Sequence, residues 1–332
     1  MKPCPAPSSA TPIAGPPPLA SVQAHPGYAR VFQADRLTFG LIAPLEGYPD
    51  APWPILERHL EAARQVDATD MTAIWLRDVP FYDPSFGDTG QVVDPMVYAG
   101  WLAAQTRRIA IGTAGIISPL RDPLIVAKQA VSLDRLTGGR FILGLATGDR
   151  PSEFAAFGSD IGNRGKRYRD ALAVIRAATE QSFPRHQSQF YGTLDGTLDM
   201  LPKPVAPRLP VLAIGRAGQD FDWLGRNTDG WIWHLSNPNR LAAVIADWRS
   251  GGDGSFRPYG YGTMFDLSTD PDAPLQIGGA GMRGGRKALV QHWLRQRDEG
   301  VNHVALNMKP LRRPFSEAID ELAEHVLPVF SV

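Results

Sequence analysis

Apolar residues in this chain come in short bursts, divided by longer stretches in which they recur every three or four positions. The bursts have the length of strands and the longer stretches carry the helical period. The first burst, LTFGLIA at 37–43, ends at Pro44. After the loop EGYPDAPWP, Pro54 stands where a helix tolerates proline, and Ile55, Leu56, His59, Leu60, Ala63 and Val66 make its apolar stripe. TAIWL at 72–76 predicts a second strand, followed by the polar, Pro/Gly-rich loop RDVPFYDPSFGDTGQVV. Asp94-Pro95 caps the next helix, to about Thr106, and RIAIG at 108–112 is a third strand. Asp122-Pro123 caps the helix LIVAKQAVSLDRL.

The stretch DRLTGGRFILGLATGDRPSEFAAFG at 134–158 organises the rest. A helix ends, Gly138-Gly139 turns the chain, and Arg140 leads into a fourth strand built on Phe141, Ile142, Leu143 and Leu145. The strand breaks into Ala146, Thr147, Gly148 and Asp149 before Pro151 opens a helical turn. Small residues at such a junction let a ligand approach the backbone. A helix follows over roughly Lys166 to Gln181, then an irregular region at 182–209 with a hairpin around FYG. Strands are predicted at 210–215 (PVLAIG), 230–235 (GWIWHL), 261–267 (YGTMFDL) and 303–308 (HVALNM). Asn237-Pro238 starts a helix after the sixth strand, Arg286 to Glu299 form another, and Pro314 opens a last one to about Val326. The region 251–282 is Gly-rich and carries little pattern besides its strand.

Counted through, strand and helix alternate eight times. An open doubly wound sheet competes with a closed (β/α)₈ barrel. The count, and the lack of a Gly-x-Gly-x-x-Gly turn after strand one, favour the barrel. Residues 1–34, rich in Pro, Ala, Ser and Gly, read as a disordered or loosely attached arm, which leaves 35–332 as the barrel domain.

Composition narrows the classes. The 332 residues carry a formal net charge of zero, which gives no electrostatic reason to bind nucleic acid or an anionic membrane. The single cysteine, Cys4, excludes a disulfide framework within the chain and is compatible with a reducing cytoplasm. No apolar run approaches a bilayer span, and the N-terminus lacks the apolar core of a secretion signal. The seven histidines include no His-x-His and no His-Glu-x-x-His, so a metal-dependent barrel hydrolase is disfavoured.

In a barrel of this kind the C-terminal strand ends carry function. They present Ala43, Arg77-Asp78, Thr113 to Gly115, Thr147 to Asp149, Gly215 to Gly218, Trp233-His234, Met264, Asp266, Asn307 and Lys309. No Ser-His-Asp set, cysteine nucleophile or carboxylate cluster stands among them, which suits a site where a cofactor carries the reaction. His234 is the one histidine nominated for acid/base work. Asp78 is nominated with it as a pocket group, with an ion pair inside its loop as the plain alternative. Arg140, beside Gly138-Gly139, reads as a latch at the barrel floor.

RIAIGTAGIISPLRDP, AKQAVSLDRLTGGRFILGLATG, the loop DRPSEFAAFG and the segment PVLAIGRAGQD together resemble the luciferase-like flavin-dependent oxidoreductases. The resemblance runs over roughly 37 to 328 and is most specific around strand four. It implies a (β/α)₈ barrel holding FMN or, in one branch, a deazaflavin. By position it implies that Ala43, Thr113 and Ala114 line the flavin ring. The turn at 113–115 matches the family's non-prolyl cis peptide. Thr147 and Gly148 match one side of the phosphate pocket, and Gly215, Arg216 and Gln219 the other. Where bacterial luciferase has a histidine pair after strand two, this chain has RDVPFYDP, and Ala146 replaces the reactive cysteine, so light emission is not expected. The resemblance further implies a monooxygenase that takes reduced FMN from a separate flavin reductase and acts with O₂ on a small organic molecule. Hydride transfer through a deazaflavin, or flavin binding without turnover, are its alternatives. Homodimers are common in the family, and the helices after strands two and three are apolar enough to pair.

Overall fold

The structure is a computed structural model and describes residues 19–234, 240–251, 255–279 and 281–331. Eight strands alternate with helices: β1 Thr38–Ile42, β2 Ala73–Leu76, β3 Ala110–Thr113, β4 Phe141–Ala146, β5 Val211–Ile214, β6 Gly230–His234, β7 Tyr259–Leu267 and β8 His303–Asn307. Each pairs in parallel with the next, and β8 returns to β1 in the register Thr38↔His303 to Ile42↔Asn307. The sheet is therefore a closed barrel, as predicted.

Parallel strands need helical crossovers, and these wrap the outside. They are α2 His59–Ala68, α3 Pro95–Gln105, α4 Pro123–Thr137, α6 Arg164–Glu180, α7 Phe221–Asn227, α8 Leu241–Ser250, α9 Arg286–Asp298 and α10 Phe315–His325, with a short α5 Pro151–Ala156 after β4. The period of two along each strand divides the core. Phe39, Leu41, Leu143, Val211, Val304 and Leu306 pack outward in the layer shared with the helices. Ala73, Trp75, Ala110, Ile142, Leu212, Ile232 and Ala305 form a separate cluster inside the barrel. A Cβ on Gly112 would stand 2.2 Å from the Trp75 ring, so the glycine makes room for the indole.

The interior also holds a fully buried imidazole. Trp75 Nε1–H donates to His303 Nε2 at 2.8 Å. The remaining ring proton is then on Nδ1 and is donated to Thr38 Oγ1 at 2.7 Å. Thr38 in turn donates to the Val31 carbonyl at 2.6 Å. Every polar atom in this chain is satisfied by the neutral ring. A second ring proton would face the indole N–H, and burial pushes the His303 imidazole down to about 3.

Several expectations are corrected. Residues 19–34 are not a loose arm: α1, Pro26–Val31, follows a 3₁₀ turn at Leu19–Ala24, and Tyr28, Val31 and Phe32 are buried under the barrel. The physical reason is a polar anchor that composition hides. His25 Nε2 meets Asp134 Oδ1 at 2.7 Å with both side chains fully buried, and Tyr28 donates to the Asp229 carbonyl. Residues 1–18 lie outside the described residues. The helix expected from Pro54 begins at His59 instead, because the Glu46 carboxylate accepts the amides of Ile55 and Leu56, and Leu56 takes φ +61°. Asn237-Pro238 lies outside the described residues. The Gly-rich region after β7 contains an antiparallel pair, Gln276–Gly278 with Gly281–Gly284, that the pattern did not announce. Arg140 does latch the floor, donating to the Ile109, Thr106 and Thr137 carbonyls.

His303 makes stability depend on pH. Its folded-state value is depressed, so its contribution is present above about 6.5 and is lost as pH falls toward about 3. Urea unfolding at intervals from pH 7 to pH 4 should show a steeper loss for the native chain than for His303→Gln. Parallel slopes would exclude the buried imidazole as the source.

Candidate active site

At the C-terminal end of the barrel the strands open into a cavity of about 1070 Å³. Its floor is the top layer of the interior cluster: Ile42, Ala114, Ile214 and Ile232. Gly262, Met264 and Asn307 close one side, and Ile277 with its glycine neighbours from the inserted hairpin reaches over it.

The rims after β4 and β5 are adjacent. Leu145 pairs with Ala213, so Thr147 and Gly215 each stand two residues beyond a matched position, and both line the cavity with Gly148 and Arg216. Gly215 has φ +68°, Ala217 +52° and Gly218 +66°, left-handed residues of the kind that builds main-chain anion nests. Among the described residues, the amides of Arg216, Ala217 and Gly218 meet no protein acceptor. Glycine at 215 is needed for its φ, which strains other side chains; a Cβ there would meet the Trp233 ring at 3.6 Å, an ordinary contact. The Arg216 guanidinium folds back over the Phe221 ring at 4.1 Å, with the Gln219 carbonyl 3.4 Å away.

Three of the residues that the resemblance placed against the cofactor, Ala43, Thr113 and Gln219, do not line the cavity. Ala43 and Thr113 occupy the outward phase of β1 and β3. Ala43 packs in the helix-facing layer, and Thr113 Oγ1 both donates to the Gly144 carbonyl and accepts its amide, each at 2.8 Å. Their inward neighbours Ile42 and Ala114 face the space instead. The buried Gln219 side chain donates to the Ala217 and Gly165 carbonyls and accepts from Arg169, so it braces the β5 loop from behind. The Ala114-Gly115 peptide is cis, at the turn the resemblance picked out.

Asp78 lines the cavity but is committed elsewhere. Arg121 grips both its oxygens, at 2.8 and 2.6 Å, and the Ile117 amide adds a third bond. The nomination of Asp78 is therefore corrected: it is spent on an ion pair and not left for acid or base work, but its partner is Arg121 beyond β3 and not, as the alternative had it, a residue inside its own loop. Arg121 also reaches Asp94 Oδ2 at 2.7 Å, while Asp94 Oδ1 caps α3 through the amides of Met96 and Val97. Burial alone would raise the Asp94 carboxyl, but Arg121 and these amides hold it below its ordinary value. Arg77 pairs not with Asp78 but with Asp88.

His234 faces the cavity at the end of β6, its ring 4.5 Å from Trp233 and at 64° to it. Partial burial lowers its imidazole from the ordinary value, so it is neutral near pH 7 and able to accept a proton. Sequence reasoning passed over Ile42, Arg150 and Ile232 in this wall. The strand alternation that points Trp75 inward also points Ile42 and Ile232 inward, and was the signal available for them. Arg150 had no such signal.

The Luciferase-like monooxygenase family model matches residues 37–272, and the chain belongs to that family. It is an enzyme of a class that includes FMN monooxygenases and F420-dependent oxidoreductases. It is 32% identical to 4-hydroxyprotoasukamycin monooxygenase of Streptomyces nodosus subsp. asukaensis over 189 residues, 56% of this chain and 49% of that one. The chain spans about half the length of the curated relatives it matches. Its fold is similar to an F420-dependent secondary alcohol dehydrogenase solved with an F420-acetone adduct. There the TM-score is 0.73 at 18% identity, covering 90% of this chain and all of that one. It is also similar to the oxygenating constituent of 3,6-diketocamphane monooxygenase from Pseudomonas putida, solved with FMN. The TM-score is 0.66 at 12% identity, covering 89% and 99%. Among the described residues no helix is long and apolar enough to cross a membrane.

Removing Arg121 would leave the nearly buried Asp78 carboxylate without its counter-charge. Arg121→Met should cost about 3 kcal/mol or more in chemical denaturation. Asp78→Asn in the same chain should recover part of that. An unchanged midpoint for the single variant would show that the pair does not support the site.

Proposed function

We propose that this enzyme is a flavin-dependent monooxygenase working with reduced FMN and O₂ on a small organic substrate, without light emission. The observation that carries the reading is the joint rim of β4 and β5. Thr147 offers a hydroxyl on one rim, and on the other the amides of Arg216 and Ala217, residues that line the same cavity, and of the adjoining Gly218 have no protein acceptor among the described residues. Such a cradle suits the oxygens of a phosphate. The apolar floor of Ile42, Ala114, Ile214 and Ile232, with Trp233 at the side, suits a flat ring, so the donor set and the cavity fit FMN.

Reduced flavin supplies the electrons with which one oxygen atom of O₂ enters the substrate and the other leaves as water. In this reading the chain's own residues bind, orient and shield. Thr147 and the 216–218 amides hold the anionic tail, and Gly148 and Gly215 let it close on the main chain. Ala114-Gly115 supports one ring face. Ile42, Ile214 and Met264 keep water from the reacting face. Neutral His234 takes or returns a proton at its exposed ring nitrogen. The remaining parts of the reading are a separate flavin reductase as electron source, a cytoplasmic setting and a homodimer. For the dimer, α3 and α4 leave Val97, Trp101, Ile125 and Leu136 exposed.

A second reading, hydride transfer with a deazaflavin, is favoured by the barrel shared with the F420-dependent alcohol dehydrogenase. Binding titrations with FMN, riboflavin and F420, followed by oxygen uptake with a reductase, separate the two. FMN should bind well above riboflavin. Thr147→Ala should weaken FMN more than tenfold, about 1.4 kcal/mol, and leave riboflavin unchanged. Binding of F420 alone would replace the first reading with the second. FMN binding without oxygen uptake across a panel of candidate substrates would leave a flavin carrier.

A further inference from the structure

The wall between the β2 and β4 loops contains a charge that the preceding reading does not use. Arg150 lines the cavity, yet its side chain is only 7% exposed. A guanidinium has five N–H donors, and one so buried requires partners. Those it has are few. One nitrogen donates to the Asp88 main-chain carbonyl at 3.2 Å, and the group lies over the Phe86 ring at 4.8 Å. Carboxylates are near but not bonded to it. The Asp88 side chain is spent on Arg77 through one oxygen and on the Gly90 amide through the other. Glu153 is 3.8 Å away, beyond hydrogen-bond reach, and both its oxygens are buried without a partner among the described residues. Asp149, also on the wall, is exposed. Asp88 thus takes the Arg77 guanidinium on its carboxylate and Arg150 only on its main-chain carbonyl, and the other Arg150 donors have no hydrogen-bonded protein partner among the described residues.

We propose that Arg150 receives an anionic oxygen group of the substrate, and that the enzyme acts on organic acids with an apolar or aromatic body. This rests on the flavin reading for what happens to the substrate, but the anion site is a separate place. It stands on the β2 side of the β4 loop, away from the Thr147–Gly218 cradle. The planar fork matches a carboxylate with two parallel bonds. Phe86 behind it fixes the plane of the fork, and Ile117 and Val79 beside it accept the apolar body. Burial raises the Glu153 carboxyl from its ordinary value, Arg150 opposes this, and Asp78, Asp149 and Asp83 add to the rise. Glu153 is thereby a weak competitor for the guanidinium.

Isothermal titration of the full chain saturated with FMN, using benzoate and its neutral isostere benzamide as probes, tests the assignment. Benzoate should bind at least about tenfold more tightly than benzamide, and the difference should shrink in Arg150→Gln as benzoate loses about thirtyfold. FMN affinity should stay within about twofold in that variant, since a different set of donors holds its phosphate. Equal binding of the two probes, or no binding of either, overturns the proposal. So does a variant that loses FMN while keeping benzoate, because Arg150 would then serve the cofactor. If Arg150→Gln fails to fold, the benzoate–benzamide difference in the native chain decides, with no preference overturning. A native chain that ignores FMN yet prefers benzoate would sink the flavin reading and keep the anion site.

Discussion

Closure of the sheet between β1 and β8 is the constraint on which the molecule depends. Strands 265 residues apart in sequence, Thr38 and His303, must meet in register before any rim exists. Their union is tied from inside by a relay of hydrogen bonds from Trp75 through the neutral His303 ring to Thr38 and on to Val31. The relay joins β2, β8, β1 and the α1 segment that plugs the floor. A low-dielectric interior strengthens each bond and makes a protonated ring costly. The same packing lifts the apolar column from Phe32 up to Ile42 and Ile214, which becomes the floor of the cavity.

Charge is handled in two ways around that cavity. On the β2–β3 side every carboxylate has a purpose in holding loops: Arg121 ties Asp78 to the Asp94 cap of α3, and Arg77 ties Asp88. These pairs are closed systems, and their members have no capacity left for chemistry. On the β4–β5 side the donors are main-chain amides and one hydroxyl, set by left-handed residues rather than by charged side chains. Arg150 stands between the two regimes, buried like the structural arginines but without their bonded carboxylate. A buried cation with most of its donors unspent costs free energy to hold. Such a cost is tolerated most readily where a ligand repays it.

The alternation of strand residues explains where position-by-position reading of the rims succeeded and failed. Thr147, Gly148 and Gly215 lie past strand ends, where the backbone itself reaches the cavity, and His234 is the last residue of β6 in its inward phase; all four line it. Thr113 at the end of β3 and Ala43 just beyond β1 fall in the outward phase. A shift of one residue exchanges the faces, and Ile42 and Ala114 take the places by the floor. Gln219 was placed on the right loop, but its amide turned to brace Gly165 and Ala217. Asp78 was placed on the right rim, but Arg121, forty-three residues on, claimed it.

The sequence by itself determined the eight short apolar strands, the Asp-Pro caps of α3 and α4, the Gly-Gly turn before β4 and the small residues after it. All are local, and local propensity or a two-residue period encodes them. Only the tertiary structure decided which rims touch, that residues 19–34 seal the floor, that Asp78 is bound and that Arg150 is left short of partners. Those outcomes turn on groups far apart in the chain, whose hydrogen bonds and desolvation are settled when the barrel closes and not before.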